Sequence, residues 1–229
     1  MADELPQGEE KTRQVRAMFD AIASRYELVN RLMTLGLDRR WRRRCVADLR
    51  LPDASQVLDV AAGSGDFTRE VTRQGHRAVA TDLSLGMLEA GSAMPERVQA
   101  DASRLPFRSA SFDGITCGYA LRNFSDLAAT FEEMARVTRP GGRLSLLEVA
   151  EPTSGLWRAG FRLWFRRVVP FIGSIVSDRA AYHYLPRSTA YLPAAEEVVR
   201  MLNRSGFSAV NNRRIMGGLS QQFVATRSL

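Results

Sequence analysis

The sequence predicts an α/β fold with a doubly wound, mostly parallel sheet that carries helices on both faces. Between residues 56 and 150, short apolar runs typical of strands alternate with amphipathic stretches typical of helices. The chain has 229 residues, of which 45% are hydrophobic and 25% are charged. This composition is that of a globular protein and excludes a disordered or fibrous chain.

A helical cap is predicted ahead of the sheet. Apolar residues recur at helical spacing between residues 11 and 33. They are Val15, Met18, Phe19, Ile22, Tyr26, Val29 and Leu32. Gly36 ends this pattern, and an arginine-rich helix follows from Asp38 to Leu49. Residues 11–51 are therefore expected to form the cap.

The sheet is predicted from five short strands with helices between them. The strands are expected at residues 56–61, 78–80, 98–100, 112–117 and 143–149. The helices are expected at residues 67–74, after a cap at Ser84, and at 126–138. A turn at Pro140-Gly141-Gly142 separates the last helix from the fifth strand. Residues 56–150 would thus form the ligand-binding core.

The end of the chain completes one predicted domain, residues 1–229. After an insertion at 151–192, a helix is expected to begin at Pro193, which suits a first helical turn. Two closing strands are expected at 207–211 and 223–226, and the last pair is expected to be antiparallel.

The charge balance is basic. The chain has 32 Lys and Arg against 25 Asp and Glu, a net charge of +7, and Lys11 is its only lysine. Two clusters of arginines contain aromatic residues. The first surrounds Trp41 and consists of Arg39, Arg40, Arg42, Arg43 and Arg44. The second lies within residues 157–169 and consists of Arg158, Arg162, Arg166 and Arg167. Such clusters fit an anionic membrane surface or a nucleic-acid backbone, and genomic composition is the alternative explanation.

Several classes of protein are excluded. Cys45 and Cys117, with His76 and His183, are too few for a disulfide framework or a structural zinc site, so no metal is expected. The most apolar stretch, 168–176, is too short to span a bilayer, and the acidic N-terminus is no secretory signal. We therefore expect a cytoplasmic protein.

The turn at residues 61–65 is the first candidate for a ligand site. Its glycines lack the G-x-G-x-x-G spacing of a dinucleotide fingerprint, and Asp59 is poorly placed beside a pyrophosphate. A ligand without phosphates fits better, and S-adenosylmethionine is such a ligand. It needs glycines for close backbone approach and acids at the ends of the second and third strands, where Asp82 and Asp101 stand. The alternative is a plain tight turn with helix-capping acids.

Five segments carry more specific signatures. They are the loop at residues 57–66, Tyr26 and Asn30 with Trp41, Leu121-Arg122-Asn123, residues 136–144 with Glu148, and Tyr182, Tyr184, Leu185 and Ser188. Together they resemble the ubiquinone/menaquinone biosynthesis C-methyltransferase family. The loop alone would indicate only a class I methyltransferase, whereas the five segments together are specific.

The resemblance implies both a fold and a function. The fold would be the Rossmann-like class I methyltransferase fold with an antiparallel last strand. The enzyme would use S-adenosylmethionine to methylate a ring carbon of a prenylated quinol, demethylmenaquinol in the menaquinone-type members, and would release S-adenosylhomocysteine. An enzyme of the same fold that acts on another aromatic or secondary-metabolite acceptor is the alternative.

The resemblance also implies the cofactor contacts. The candidate residues are Asp59, Gly63, Ser64, Gly65, Asp82, Leu83, Asp101, Ala102 and Gly118. Many relatives have serine where this chain has Gly118, so only a backbone contact is expected there. Departures at Glu27, Asp38, residues 186–187 and the tail after Gly218 fall in substrate-facing parts of the family and leave the acceptor open.

Methylation of a ring carbon needs a proton acceptor and a cation beside the oxyanion. Arg122 is the candidate cation, and a salt bridge to Asp126 is its alternative role. Glu148 at a strand end would face the crevice or cap a loop. The other candidates are Tyr182 and His183 for positioning or proton relay, and Tyr26, Asn123 and Tyr184 for substrate binding.

The sequence pattern of residues 157–169 predicts where the protein meets a prenylated substrate. Aromatic residues at helical spacing, flanked by arginines, are typical of a helix that binds an anionic membrane surface. The alternative is a lid that packs on the substrate pocket. A nucleic-acid partner is not expected, because the chain has no N-P-P-Y-like tetrad for a flipped base. A homodimer is compatible with the sequence.

Overall fold

A seven-stranded sheet forms the centre of the computed structural model, which describes residues 7–34, 36–91, 96–150, 188 and 191–229. Its strands are β1 (Gln56–Val60), β2 (Arg77–Asp82), β3 (Arg97–Gln99), β4 (Phe112–Gly118), β5 (Thr138–Val149), β6 (Phe207–Ile215) and β7 (Ser220–Arg227). Their order in the sheet is β3-β2-β1-β4-β5-β7-β6. Strands β1 to β5 are parallel, and β7 is antiparallel to both β5 and β6. The predicted fold class is confirmed.

The helices lie close to where the periodicity predicted them, but the last one begins at Ala195, so Pro193 precedes its first turn. They are α1 (Gly8–Thr34), α2 (Asp38–Ala47), α3 (Asp66–Arg73), α4 (Leu85–Ala90), α5 (Leu127–Val137) and α6 (Ala195–Arg204). The Ser84 hydroxyl accepts from the Met87 amide at 3.0 Å, which confirms the predicted cap of α4. A 3-10 turn, Leu121–Asn123, follows β4.

The Pro140-Gly141-Gly142 segment is a bulge inside β5, so the prediction of a turn before that strand was wrong. Pairing with β4 moves from Phe112 opposite Thr138 to Gly114 opposite Arg143. Gly141 has φ of +78°, a left-handed conformation that glycine adopts without steric cost. The chain therefore absorbs the extra residues without leaving the sheet.

Two apolar clusters cover the two faces of the sheet. Leu58 and Phe131 belong to the cluster under α5 and α6, and Val57 and Phe67 belong to the cluster under α2 and α3. Adjacent residues of β1 thus point to opposite faces, as strand geometry requires. Both cysteines are buried in these clusters.

The strand order places a crevice between β1 and β4. After β1 the chain adds β2 and β3 on one side, and it then returns to add β4 on the other side. At such a reversal the connections leave in opposite directions above the carboxyl ends of the strands, which opens space for a ligand. The residues that follow β1, β2 and β4 therefore meet at one place.

Lys11 attaches the beginning of α1 to the turn after β4. Its ammonium donates to the Phe124 carbonyl at 2.7 Å and lies 3.9 Å from the centre of the Tyr191 ring. The residue is only 5% exposed. Because burial disfavours the charged form, the pKa of Lys11 falls to about 8.

This lowered pKa predicts a pH-dependent stability. Between pH 8 and the ordinary lysine pKa, the unfolded chain holds more protons at Lys11 than the folded chain, so raising the pH favours folding. From pH 7 to 10, wild type is expected to gain about 2–3 kcal/mol of unfolding free energy relative to Lys11→Met. Denaturant unfolding of both proteins at each pH measures the difference. A constant difference would mean that Lys11 keeps its proton throughout.

Candidate active site

A cavity of about 780 Å³, counting its open mouth, lies at the carboxyl ends of β1, β2 and β4. Gly63 lines it after β1, Asp82 at the end of β2, and Gly118 at the end of β4. The crevice that the strand order predicts is therefore present.

The turn after β1 brings its backbone to the cavity. Gly63 and Gly65 have φ of +57° and +88°, so both use the left-handed region that glycine tolerates. A Cβ on Gly63 would lie 3.0 Å from Met87 Cε, which leaves little space for a side chain. The Gly63 amide donates to Asp82 Oδ2 at 2.8 Å, so this turn is tied to the end of β2.

Two carboxylates follow β2 and β3 and line the same cavity. Asp82 Oδ1 accepts from the Ser84 amide at 2.9 Å. Burial raises the pKa of Asp82, and the amide hydrogen bonds from Ser84 and Gly63 oppose that rise. Asp101 Oδ1 accepts both the amide and the hydroxyl of Ser103, at 2.8 and 2.7 Å. Both acids are held by neighbouring backbone, which preorganises them for a ligand.

Gly118 has no space for a side chain. A Cβ there would lie 2.6 Å from Cε2 of Phe67, whose ring is buried under α3. A serine at this position would require the Phe67 ring to move. The backbone-only contact expected at Gly118 is consistent with this geometry.

Three predicted cofactor residues do not line the cavity. Asp59 is buried within β1 and accepts from the hydroxyls of Thr68 and Thr116, at 2.7 and 3.0 Å. Burial raises the pKa of Asp59 to about 7. Ser64 and Gly65 likewise lie outside the lining. Direct cofactor contacts of these residues stay predictions. Asp59 connects β1 to α3 through Thr68 and to β4 through Thr116.

The Arg122 guanidinium is bound by two other side chains of the protein. Its Nη1 pairs with Glu148 Oε1, its Nε donates to Ser188 Oγ at 3.1 Å, and the residue is 6% exposed. Glu148 also accepts from the Leu121 amide at 2.9 Å and so holds the turn, the loop-capping role that the sequence left open. The alternative prediction, a salt bridge between Arg122 and Asp126, was wrong, because the Asp126 carboxylate caps α5 instead. The catalytic role of Arg122 stays a prediction.

Helix α1 forms a wall of the cavity, of which the sequence had assigned only Tyr26 to the site. Its cavity-lining residues are Thr12, Val15, Arg16, Phe19 and Tyr26. Phe19 and Tyr26 pack edge to face, with ring centres 5.8 Å apart. The apolar periodicity of α1 was visible in the sequence, but the surface against which it packs was not.

Two departures from the family pattern lie in ion pairs outside the cavity lining. Glu27 accepts from Arg69 at 2.7 Å, and Arg69 also donates to the Ser64 carbonyl at 2.8 Å. Asp38 pairs with Arg42, a buried residue. The substrate-facing position expected for Glu27 and Asp38 stays a prediction. Both stabilise the helices beside the glycine turn.

The remaining candidates divide into two groups. Asn123 and Tyr26 line the cavity, as do Leu83 and Ala102. Tyr182, His183 and Tyr184, with the stretch 157–169, lie outside the described residues. Within the described parts of the chain, no group of three or more His, Cys, Asp or Glu could hold a metal ion.

The donor set fits S-adenosylmethionine. In the described structure two buried hydroxyls, Ser64 Oγ and Thr81 Oγ1, have no hydrogen-bond partner, and Thr81 lines the cavity. Buried polar atoms are normally paired, so these favour a polar ligand. The acids Asp82 and Asp101 suit ribose hydroxyls and an adenine amine. This site on this sheet defines a class I methyltransferase.

Comparison with known proteins gives the family. The chain belongs to the ubiE/COQ5 methyltransferase family, which matches residues 7–227. It is 41% identical over 209 residues to the demethylmenaquinone methyltransferase of Mycobacterium tuberculosis strain H37Rv, covering 90% of this chain and 89% of that protein. The enzyme of the same name from Deinococcus radiodurans is 43% identical over 209 residues, covering 87% of each chain.

The fold has matches beyond this family. A SAM-dependent methyltransferase of Thermotoga maritima superposes with a TM-score of 0.68 at 15% identity, covering 93% of this chain and 100% of that one. At that identity the likeness concerns the fold alone.

Proposed function

We propose that the protein transfers the methyl group of S-adenosylmethionine to a ring carbon of a prenylated quinol, with demethylmenaquinol as the acceptor. The observation that carries this proposal is the similarity, over about nine tenths of the chain, to enzymes named demethylmenaquinone methyltransferase. We also propose that residues 1–229 act as one methyltransferase unit, because β7 joins the end of the chain to β5.

The described residues account for how the cofactor would be held. The glycine turn allows close approach of the amino-acid part, Asp82 accepts from the ribose hydroxyls, and Asp101 with Ala102 meets the adenine. When bound, S-adenosylmethionine supplies a methyl group activated on a sulfonium. The chain then needs mainly to align the acceptor carbon with that methyl group and to exclude water.

The acceptor imposes two further requirements on the protein. A phenolic oxygen must lose its proton so that the ortho carbon can attack, and the ring carbon must then release its own proton. Tyr182 and His183 are proposed for the proton relay. Arg122 is proposed to hold the oxyanion, and the Glu148 pair would fix its position.

A methyl-transfer assay with purified protein tests the function. Reduced demethylmenaquinone should be methylated in preference to reduced demethoxy-type benzoquinones and simple phenols. Transfer to a simple phenol alone would support an acceptor outside quinone biosynthesis. Absence of transfer to all of these acceptors would overturn the proposal.

We further propose that the protein takes its substrate at an anionic membrane surface. A polyprenyl quinol is insoluble in water, and in the described parts of the chain no helix is long and apolar enough to cross a membrane. Residues 157–169 combine four arginines with an aromatic face. Arg39, Arg40 and Arg43 of α2 are exposed and add to the basic surface.

Sedimentation with vesicles tests this attachment. Binding to anionic vesicles is expected to weaken at high salt and to disappear in the double variant Arg162→Glu with Arg166→Glu. That variant should keep its activity on a short, water-soluble quinol. Equal binding to neutral vesicles, or loss of activity on the soluble quinol, would favour a lid over the substrate pocket.

A further inference from the structure

The middle of α1 is bonded to the same short segment that holds Asp82. We propose that Asp20 is a positioning residue for the cofactor. Its carboxylate bonds the residues that follow Asp82 and so holds α1 in place beside Asp82. This inference rests on the proposed use of S-adenosylmethionine. Asp20 itself does not line the cavity, so it would act through its neighbours.

A continuous set of hydrogen bonds connects Asp20 to the glycine turn. Asp20 Oδ1 accepts from the Ser84 hydroxyl and, at 3.1 Å, from the Gly86 amide. The Ser84 amide donates to Asp82 Oδ1, and the Gly63 amide donates to Asp82 Oδ2. One side chain of α1 is thus linked to the residues that follow β1 and β2.

Asp20 of α1 packs closely against Gly86 at the start of α4. A Cβ on Gly86 would lie 3.1 Å from Asp20 Oδ1 and 3.4 Å from Asp20 Cα, so α1 rests directly on the first turn of α4. One turn before Asp20, Arg16 lines the cavity, and Phe19 does so beside it. Release of Asp20 would therefore let this wall of the cavity move.

Asp20 also acts on Asp82 through its charge. The carboxylate of Asp20 raises the pKa of Asp82, in addition to the larger effect of burial. The other charged groups near Asp82 are Arg16, whose Nε lies 3.8 Å from Asp20 Oδ2, and Asp101 across the cavity. Cys117 of β4 is a further titratable neighbour, and burial raises its pKa well above the usual range. Tyr26 and Tyr119 line the same cavity.

Two substitutions separate the roles of Asp20. Asp20→Asn keeps an oxygen that accepts from Ser84 and Gly86, whereas Asp20→Ala removes it. We expect Asp20→Ala to weaken S-adenosylmethionine binding about three- to tenfold. Its KM for the cofactor should rise while kcat stays close to wild type, and Asp20→Asn should recover most of the affinity at neutral pH.

The pH dependence of cofactor affinity gives a readout that a merely structural role would not move. Ionised Asp82 accepts from the ribose hydroxyls, so affinity is expected to fall as the pH falls towards the raised pKa of Asp82. Asp20→Asn removes a negative neighbour and lowers that pKa. The acid limb of the affinity profile should therefore move to lower pH.

Calorimetric titration of the full chain with S-adenosylmethionine measures these effects. Glu10→Gln is the matched control, because Glu10 lies on the same helix and accepts from the exposed side chains of Arg13 and Gln14. Unchanged affinity in Asp20→Ala, or an unmoved acid limb in Asp20→Asn, would overturn the inference. Failure of wild type to bind the cofactor would instead overturn the proposed function.

Discussion

Replacing Asp82 with alanine is expected to weaken S-adenosylmethionine binding about tenfold or more. Its carboxylate would accept from both ribose hydroxyls, and hydrogen bonds to a charged group contribute roughly 1.5–3 kcal/mol each. Each oxygen already accepts one backbone amide, from Ser84 or Gly63. Calorimetric titration measures the loss of affinity. Thermal unfolding of the cofactor-free protein shows whether the two freed amides also lower its stability.

Two variants sharpen this experiment. Asp82→Asn keeps one acceptor oxygen and loses the charge, so its affinity should fall between wild type and Asp82→Ala. Asp53→Ala changes an exposed carboxylate in the loop before β1 and should leave affinity unchanged. If Asp82→Ala bound the cofactor as wild type does, Asp82 would be removed from the site.

Replacing Arg122 with alanine is expected to lower the unfolding free energy by about 3–5 kcal/mol, because it leaves a buried carboxylate without its partner. Glu148 is 0% exposed and pairs with Arg122, which is itself buried. Denaturant unfolding measures the loss. Arg122→Met with Glu148→Gln removes both charges and should recover part of it.

A surface ion pair provides the comparison. Arg200→Ala breaks a pair with Glu197 in which both side chains are exposed, and it should lower the unfolding free energy by less than about 0.5 kcal/mol.

The proposed oxyanion role predicts a different pattern for Arg122→Ala. Turnover would then fall far more than cofactor affinity, and a variant of unchanged stability with this kinetic defect would contradict the structural role.

Much of the site could be predicted because its parts are local. The glycine turn and the acids at strand ends are short patterns, and Gly63, Asp82 and Asp101 all line one cavity. Ser84 as a cap is equally local, since its hydroxyl binds an amide three residues away. The sheet order brings these residues together without further information from side chains.

The sequence by itself determined the alternation of strands and helices and the acids at the strand ends. These features depend on periodicity and spacing along the chain. Only the tertiary structure decided that Arg122 pairs with Glu148, 26 residues away, and that Asp20 bonds Ser84, 64 residues away. Such partners depend on which surfaces pack together, and the period of a helix or strand says which face is apolar but not what covers it.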